Sequence, residues 1–423
     1  MSANTHLNGS DYLMLGFDHE LRRHGFAGNS CQIVLELGAA ISPAALQKRL
    51  VILGERYPIL RARPGGLIRP QWKLPSREAS SPQVRIHRER PGLSQTLCNE
   101  PLATKRGELV RFDLVECESG RMNIVFTWAH ALMDAPGAEH FLALVGREEL
   151  PPVPWPSPSL VRARLNLIER FKLAWKNLNQ IDQFGRTAPR SLGIRNGNAA
   201  AFLRYHVEKF SRHETARVRA NALRLCGVLG MAQFHAAAAL LELHQLHQRL
   251  GCHTPSYILP VPVGLRPKGA VEPLFSNQLA IIMTQFLPEH LGSMASAVTA
   301  LKDQTLQALR TGLIESSRLL GDLFRFLPLP IYMSILKRGL GGEICSLFYG
   351  ETAAVNPLLT FFLGVPVEDF IHVAAVTPSP GLGVIFYLFR DELRLTILHL
   401  AATLTEVEAS EFGIKIRQRL LDS

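Results

Sequence analysis

Paired cysteines are missing. The six thiols, Cys31, Cys98, Cys117, Cys226, Cys252 and Cys345, include no CxxC spacing, so no zinc ribbon or dithiol redox centre is written into them, and free thiols of a reducing compartment are the expectation. No apolar run is long enough to span a bilayer without interruption, and the opening MSANTHLNGSDYLMLGFDHE lacks the basic and apolar regions of a secretory signal. A cytoplasmic location is expected, with peripheral membrane contact as its one variant. A GxSxG elbow is also absent, which removes the serine-hydrolase route to acyl chemistry. Neither a helix-turn-helix signature nor an RNA-binding aromatic motif occurs, and Lys and Arg are dispersed, so nucleic acid is not an expected partner.

What is present describes a globular chain. Hydrophobic residues make up 47% and charged residues 19% of 423 positions, a balance that buries a large core. That length exceeds what one core usually serves, so two domains of about 200 residues each are expected. The formal charge of +10 favours acidic partners: a phosphorylated cofactor, an acidic carrier protein or an anionic membrane face.

Patterning supports alternating helices and strands. Cys31, Ile33, Leu35 and Leu37 share one face of a strand, and Ser42 caps a helix that starts at Pro43, buries Leu46, Leu50, Leu53 and Tyr57, and stops at Pro58. Ile59 to Arg63 reads as a further strand. Val110, Phe112 and Leu114 alternate before a polar turn, and Ile124, Phe126 and Trp128 alternate after it, giving a hairpin. The proline-rich stretch 151–158 is the sharpest break in composition, followed by a helix over Leu160 to Phe184 that crosses between halves. Capping boxes at Ser211/Glu214 and Thr405/Glu408 open later helices, and strands are expected at Tyr257 to Val263, Leu279 to Phe286, Leu358 to Leu363, Ile371 to Val376, Val384 to Phe389 and Leu393 to Leu400. The division expected is 1–155, a linking segment 156–200, and 201–423, each half α+β with mixed sheets flanked by helices.

The hairpin delivers the chain to His130, with Asp134 four residues later at a helix start and Gly137 in its first turn. An imidazole near pKa 6.5 accepts a proton from a hydroxyl or amine at neutral pH, and a positioned base of this kind contributes roughly 10²- to 10⁴-fold. A backbone carbonyl on its other nitrogen would fix the tautomer. The plainer account is a satisfied core histidine and an N-capping aspartate, and spacing alone leaves both open.

Further elements favour the base. The helix end Arg56-Tyr57-Pro58-Ile59-Leu60-Arg61-Ala62-Arg63, the entry Gly107-Glu108-Leu109-Val110-Arg111, the H-x-x-x-D core of His130 and Asp134, and Val261-Pro262-Val263-Gly264-Leu265-Arg266-Pro267 followed by Ser276-Asn277 resemble, in order and spacing, the chloramphenicol acetyltransferase-like superfamily. That superfamily includes condensation domains and free-standing HXXXD acyltransferases. The resemblance covers nearly the whole chain and implies two acetyltransferase-like lobes with an active-site tunnel between them. It implies His130 as general base, no metal and no permanently bound cofactor, and an acyl-CoA or phosphopantetheine-linked acyl group as co-substrate. Asp134 would be architectural, paired with Arg266, whose plainer account is a surface arginine after a strand; Gly137 and Asn277 would support the site; Thr360 resembles a hydroxyl that stabilises the oxyanion, with an ordinary strand threonine as the plainer account. A small-molecule or lipid acceptor, an acyl carrier protein as donor, and a monomer are the associated expectations. Two positions depart: Ala129 stands where condensation domains carry a further histidine, and Ala135 where a glycine normally follows the aspartate. No DFGWG sequence occurs, so a plant-type enzyme is not indicated.

Two other signals have plain readings. His235, His244, His247 and His253 crowd one helix without the acidic or thiolate companions of a metal site. The apolar tract Leu319 to Leu340, broken by Pro328 and Pro330 and closed by Lys337 and Arg338, packs between lobes or rests on a membrane. A non-catalytic binding module and a peripheral membrane protein therefore stand beside the acyltransferase as alternatives.

Overall fold

The computed structural model describes residues 6–66, 70–74, 82–147, 149–150, 166–197, 201–228, 230–267 and 269–423. The proline-rich break at 151–158 and the start of the expected crossover helix, 160–165, lie outside them.

Helix α1 (Gly9–Arg23) is opened by a capping box of Asn8 and Asp11. Strand β1 (Ser30–Leu37) follows, then α2 (Pro43–Arg56), capped by Ser42. Short strands β2 (Arg63–Gly65), β3 (Gln71–Lys73) and β4 (Val84–Arg88) precede α3 (Leu93–Cys98), the hairpin β5 (Val110–Glu116) and β6 (Met122–Ala129), and α4 (Ala135–Gly146). Helix α5 (Leu167–Gly185) leads to β7 (Leu203–Lys209), α6 (Arg212–Cys226), α7 (Met231–Arg249), β8 (Tyr257–Gly264) and β9 (Leu279–Phe286). The chain ends with α8 (Met294–Arg310), α9 (Leu313–Phe324), α10 (Leu329–Gly339), β10 (Phe348–Ala354), β11 (Phe361–Phe362), β12 (Val365–Val373), β13 (Leu382–Phe389), β14 (Glu392–Leu400) and α11 (Glu406–Asp422).

Two mixed sheets organise these elements. One has the order β11-β12-β1-β6-β5-β4 and the other β10-β13-β14-β7; only β4/β5 and β10/β13 run parallel. Each sheet has its own hydrophobic core. Phe112, Phe126, Trp128 and Phe141 anchor the first, and Phe234, Phe286, Phe386 and Phe412 the second. The sheets do not follow the halves of the chain, because β12 pairs along β1, with Ile33 opposite His372. A segment more than 300 positions downstream thus completes the first sheet and brings second-half side chains to its edge.

Two expected strands are corrected. Ile59 to Arg63 is a 3₁₀ turn over Pro58–Arg61, and Leu358 to Leu363 begins as another, Pro357–Thr360, with only Phe361–Phe362 extended. In both the proline fixes φ in the helical range at the first position, and Asn356 secures the second turn by accepting from Leu358 N at 3.1 Å.

The apolar tract at 319–340 forms the end of α9 and all of α10, parted by Pro328. Its inward side packs on α1: Tyr332 stacks on Tyr12 with ring centroids 5.9 Å apart, and Met333 is buried. No single described helix is long and apolar enough to cross a membrane. Helices α1 and α9 cross so closely that a Cβ on Gly9 would lie 2.3 Å from the backbone carbon of Gly321. Gly9→Ala must therefore push the helices apart; it is expected to cost about 1–3 kcal/mol, read as a lower urea midpoint at unchanged slope.

Candidate active site

The β6 alternation ends with Trp128 buried and the chain turning at His130. Ala129 pairs with Ser30 across the β1/β6 ladder, and His130 N donates to Asn29 O at 3.0 Å. From the other side, Asn277 Nδ2 donates to the His130 carbonyl at 2.9 Å. Asn277 is itself held by Asp11 Oδ1, which accepts from its main-chain N at 2.7 Å and from Nδ2 at 3.0 Å. Burial raises the Asp11 carboxyl from 3.8 to about 7, against the hydrogen bonds from Asn277 and Asn8 that favour its charge.

Asp134 faces away from the imidazole into a cage. Its Oδ1 caps α4 by accepting from Gly137 N at 2.8 Å and also takes Arg266 Nη2 at 3.0 Å; its Oδ2 accepts from Gln278 N at 2.9 Å. Arg266 completes its valence on the carbonyls of Val271 and Pro273, at 2.5 and 2.7 Å. The two side chains are 9% and 7% exposed, so this is a desolvated pair whose remaining polar atoms are largely met, the condition under which a buried ion pair is tolerated. It ties the start of α4 to the segment after β8. Gly137 allows that approach, since a Cβ there would lie 2.6 Å from Leu274 O.

His130 opens onto a cavity of about 1140 Å³ lined by both sheets and by α1, α5, α9 and α10. The residue is partly exposed to it while Ala129 and Ala131 are buried. Trp175 of α5 lines the same space and is 54% exposed, so the cavity reaches the surface there. Nδ1 of His130 is buried with no well-formed hydrogen bond; the backbone carbonyl expected to hold it contributes only electrostatically. Burial, the largest influence, disfavours the imidazolium, but the adjacent Cys31 sulfur, the residue's own carbonyl and Asp134 outweigh it and raise the group from 6.5 to about 9.

Thr360 is not in this lining. Its hydroxyl donates back to Pro357 O at 3.0 Å within the 3₁₀ turn, so the expectation of an oxyanion donor at this position is corrected: the proline-initiated turn consumes the hydroxyl locally. His244 and His247 turn to the hydroxyls of Tyr257 and Thr254, and burial lowers both rings.

Several groups at the site were not among the sequence expectations. Cys31 reaches His130 because β1 pairs in register with β6, opposite Trp128. Glu139 of α4 meets His372 of β12 at 2.9 Å across 233 positions, and Asp11 belongs to a helix, α1, that the sequence reading did not mark. The local signals for these groups are the inward parity of Cys31 and the Asn8/Asp11 spacing that opens α1.

No family model and no curated protein matches this sequence. Solved structures do. The chain is similar to the trichothecene 15-O-acetyltransferase of Fusarium sporotrichioides, at 16% identity and TM-score 0.69, covering 98% of this chain and 95% of that one. It is similar to the first condensation domain of the calcium-dependent antibiotic synthetase, at 16% identity and TM-score 0.67, covering 100% and 97%. Polyketide synthase associated protein 5 of Mycobacterium tuberculosis matches at 15% identity and TM-score 0.62, covering 100% and 98%. The chain has the chloramphenicol acetyltransferase-like, condensation-domain fold over nearly its full length. Identity this low establishes the fold and leaves chemistry to the site.

Proposed function

We propose that the protein is an acyltransferase moving an acyl group from a coenzyme A or carrier-protein thioester to a hydroxyl or amine, with His130 as general base. The observation that carries this reading is His130 itself: partly open to a large cavity that reaches the surface, with its main chain clamped by Asn29 and Asn277. With Nδ1 buried, Nε2 is the nitrogen available to a substrate. It takes the proton as the oxygen or nitrogen nucleophile bonds to the thioester carbon; collapse of the tetrahedral adduct breaks the C–S bond, and the proton passes to the departing thiolate. Asp134 and Arg266 take no part in proton transfer and hold the loop that presents the base. Arg170 and Lys172, both exposed on α5, suit the acidic surface of a carrier protein.

The raised pKa sets a sign. Only the neutral ring accepts a proton, so kcat/KM should climb about tenfold per pH unit and level off above roughly pH 9. Cys31→Ala removes the largest of the influences that sustain the imidazolium and leaves only the residue's own carbonyl and Asp134 against burial; the ascending limb should move to lower pH. A limb that stays in place in that variant would show that the Cys31 sulfur does not raise the ring. The reading is tested by mass spectrometry of acyl-CoA and acyl carrier protein incubated with alcohols and amines, where absence of any acylated product with every donor would sink it.

A further inference from the structure

The cavity that receives His130 is chemically lopsided. One end is polar, where Glu139 pairs with His372 at 2.9 Å, Asn356 N donates to Glu139 Oε2 at 2.8 Å, and His140 Nδ1 lies 2.9 Å from Asn356 Nδ2. Those groups come from α4, β12 and the turn before β11. At the other end α1, α9 and α10 turn hydrocarbon into the space: Met14, Phe17, Leu320, Phe324 and Ile335, joined by Phe348 of β10, whose ring meets Phe17 edge-on at 5.6 Å. The charged neighbours on this side are committed or peripheral. Arg318 is bound to Glu315 and Asp322 at 2.5 and 2.8 Å, Asp182 to Arg186 at 2.8 Å, and Arg338 is exposed.

Hydrocarbon facing an open space is costly unless something fills it, because the lining loses contacts that a packed core would supply. These helices do pack tightly where they meet, at Tyr12 on Tyr332 and at Gly9 on Gly321, so the space beside them is not a consequence of loose assembly. At about 1140 Å³ it exceeds the roughly 300–1,000 Å³ that suffices for a drug-sized ligand. A two-carbon acyl group would leave the apolar end vacant.

The geometry points to a binding arm for an aliphatic acyl chain well beyond acetyl in length, delivered as its thioester, with the polar end left to the acceptor. This rests on the acyl-transfer reading of His130 and narrows its donor to a medium- or long-chain acyl thioester. Each methylene buried in such an arm strengthens binding by roughly fourfold at most.

Isothermal titration calorimetry with acetyl-, octanoyl- and dodecanoyl-coenzyme A tests the arm without turnover, using the full-length His130→Ala variant alongside the parent. Affinity should rise at least about a hundredfold from acetyl to dodecanoyl. Ile335→Trp, which fills the arm from a half-exposed position and so spares the core, should weaken dodecanoyl binding at least about tenfold with acetyl binding unchanged. Equal affinity for the three donors, or dodecanoyl binding indifferent to Ile335→Trp, overturns the proposal. Chain-length-dependent binding without acylated product in the parent would remove the acyl-transfer reading and keep the arm. Transfer of acetyl as readily as dodecanoyl would do the reverse.

Discussion

Replacing His130 with Ala is expected to lower acyl transfer by about 10²- to 10⁴-fold while leaving the urea unfolding midpoint close to that of the parent. The chemical half follows from the position of the ring: it borders the cavity, and no other described histidine in the lining is free of a protein partner, since His140 is engaged by Asn356 and His372 by Glu139. The structural half follows from what holds the loop. Asn29 and Asn277 bind the main chain of residue 130, not its side chain, so alanine keeps both hydrogen bonds. Product formation at the parental rate by a folded variant would remove His130 as the base, whereas a parent that forms no product with any donor would belong to the class of non-catalytic binding modules; circular dichroism with single-turnover assays on the same preparation decides between these outcomes.

Asp134→Ala should behave in the opposite way, with loss of fold first and activity as a consequence. Removing the carboxylate leaves Arg266 charged in a desolvated site and strips the acceptor from Gly137 N and Gln278 N. Breaking one side of a buried pair typically costs about 3–5 kcal/mol, a large part of the total stability of most domains. The companion measurement is the double variant Asp134→Ala with Arg266→Met. An apolar replacement of a whole buried pair is often near neutral, so the double variant should recover stability relative to Asp134→Ala alone. If Asp134→Ala unfolds at the parental urea concentration, the pair is not the tie between α4 and the segment after β8 that its geometry implies. Asp134→Asn keeps one acceptor oxygen and should fall between the parent and Asp134→Ala.

These two outcomes separate roles that look alike in the sequence, where His130 and Asp134 are simply the ends of one short motif. The hairpin, the helix start at Asp134 and the capping boxes at Ser211 and Thr405 were legible because each depends on side chains within a few positions, alternating on a strand or accepting a neighbouring N–H. The 3₁₀ turns at Pro58 and Pro357 were not legible, because apolar runs beside a proline carry no marker that distinguishes a tight turn from an extended strand. Helix α1 is opened by a local Asn8/Asp11 box, but the support that Asp11 lends to Asn277 spans 266 positions and has no local marker.

The amino-acid sequence by itself determined the local elements and the turn that carries His130, since periodicity and capping act over four residues or fewer. Tertiary structure alone decided that Cys31 adjoins the imidazole, that Thr360 does not, that β12 closes the first sheet, and that α1, α9 and α10 leave a hydrocarbon-lined space at the site. Those facts depend on ladder register and helix crossing between segments more than 300 positions apart, and pairing over such distances is selected by the packing of the whole core, which no short window of sequence contains.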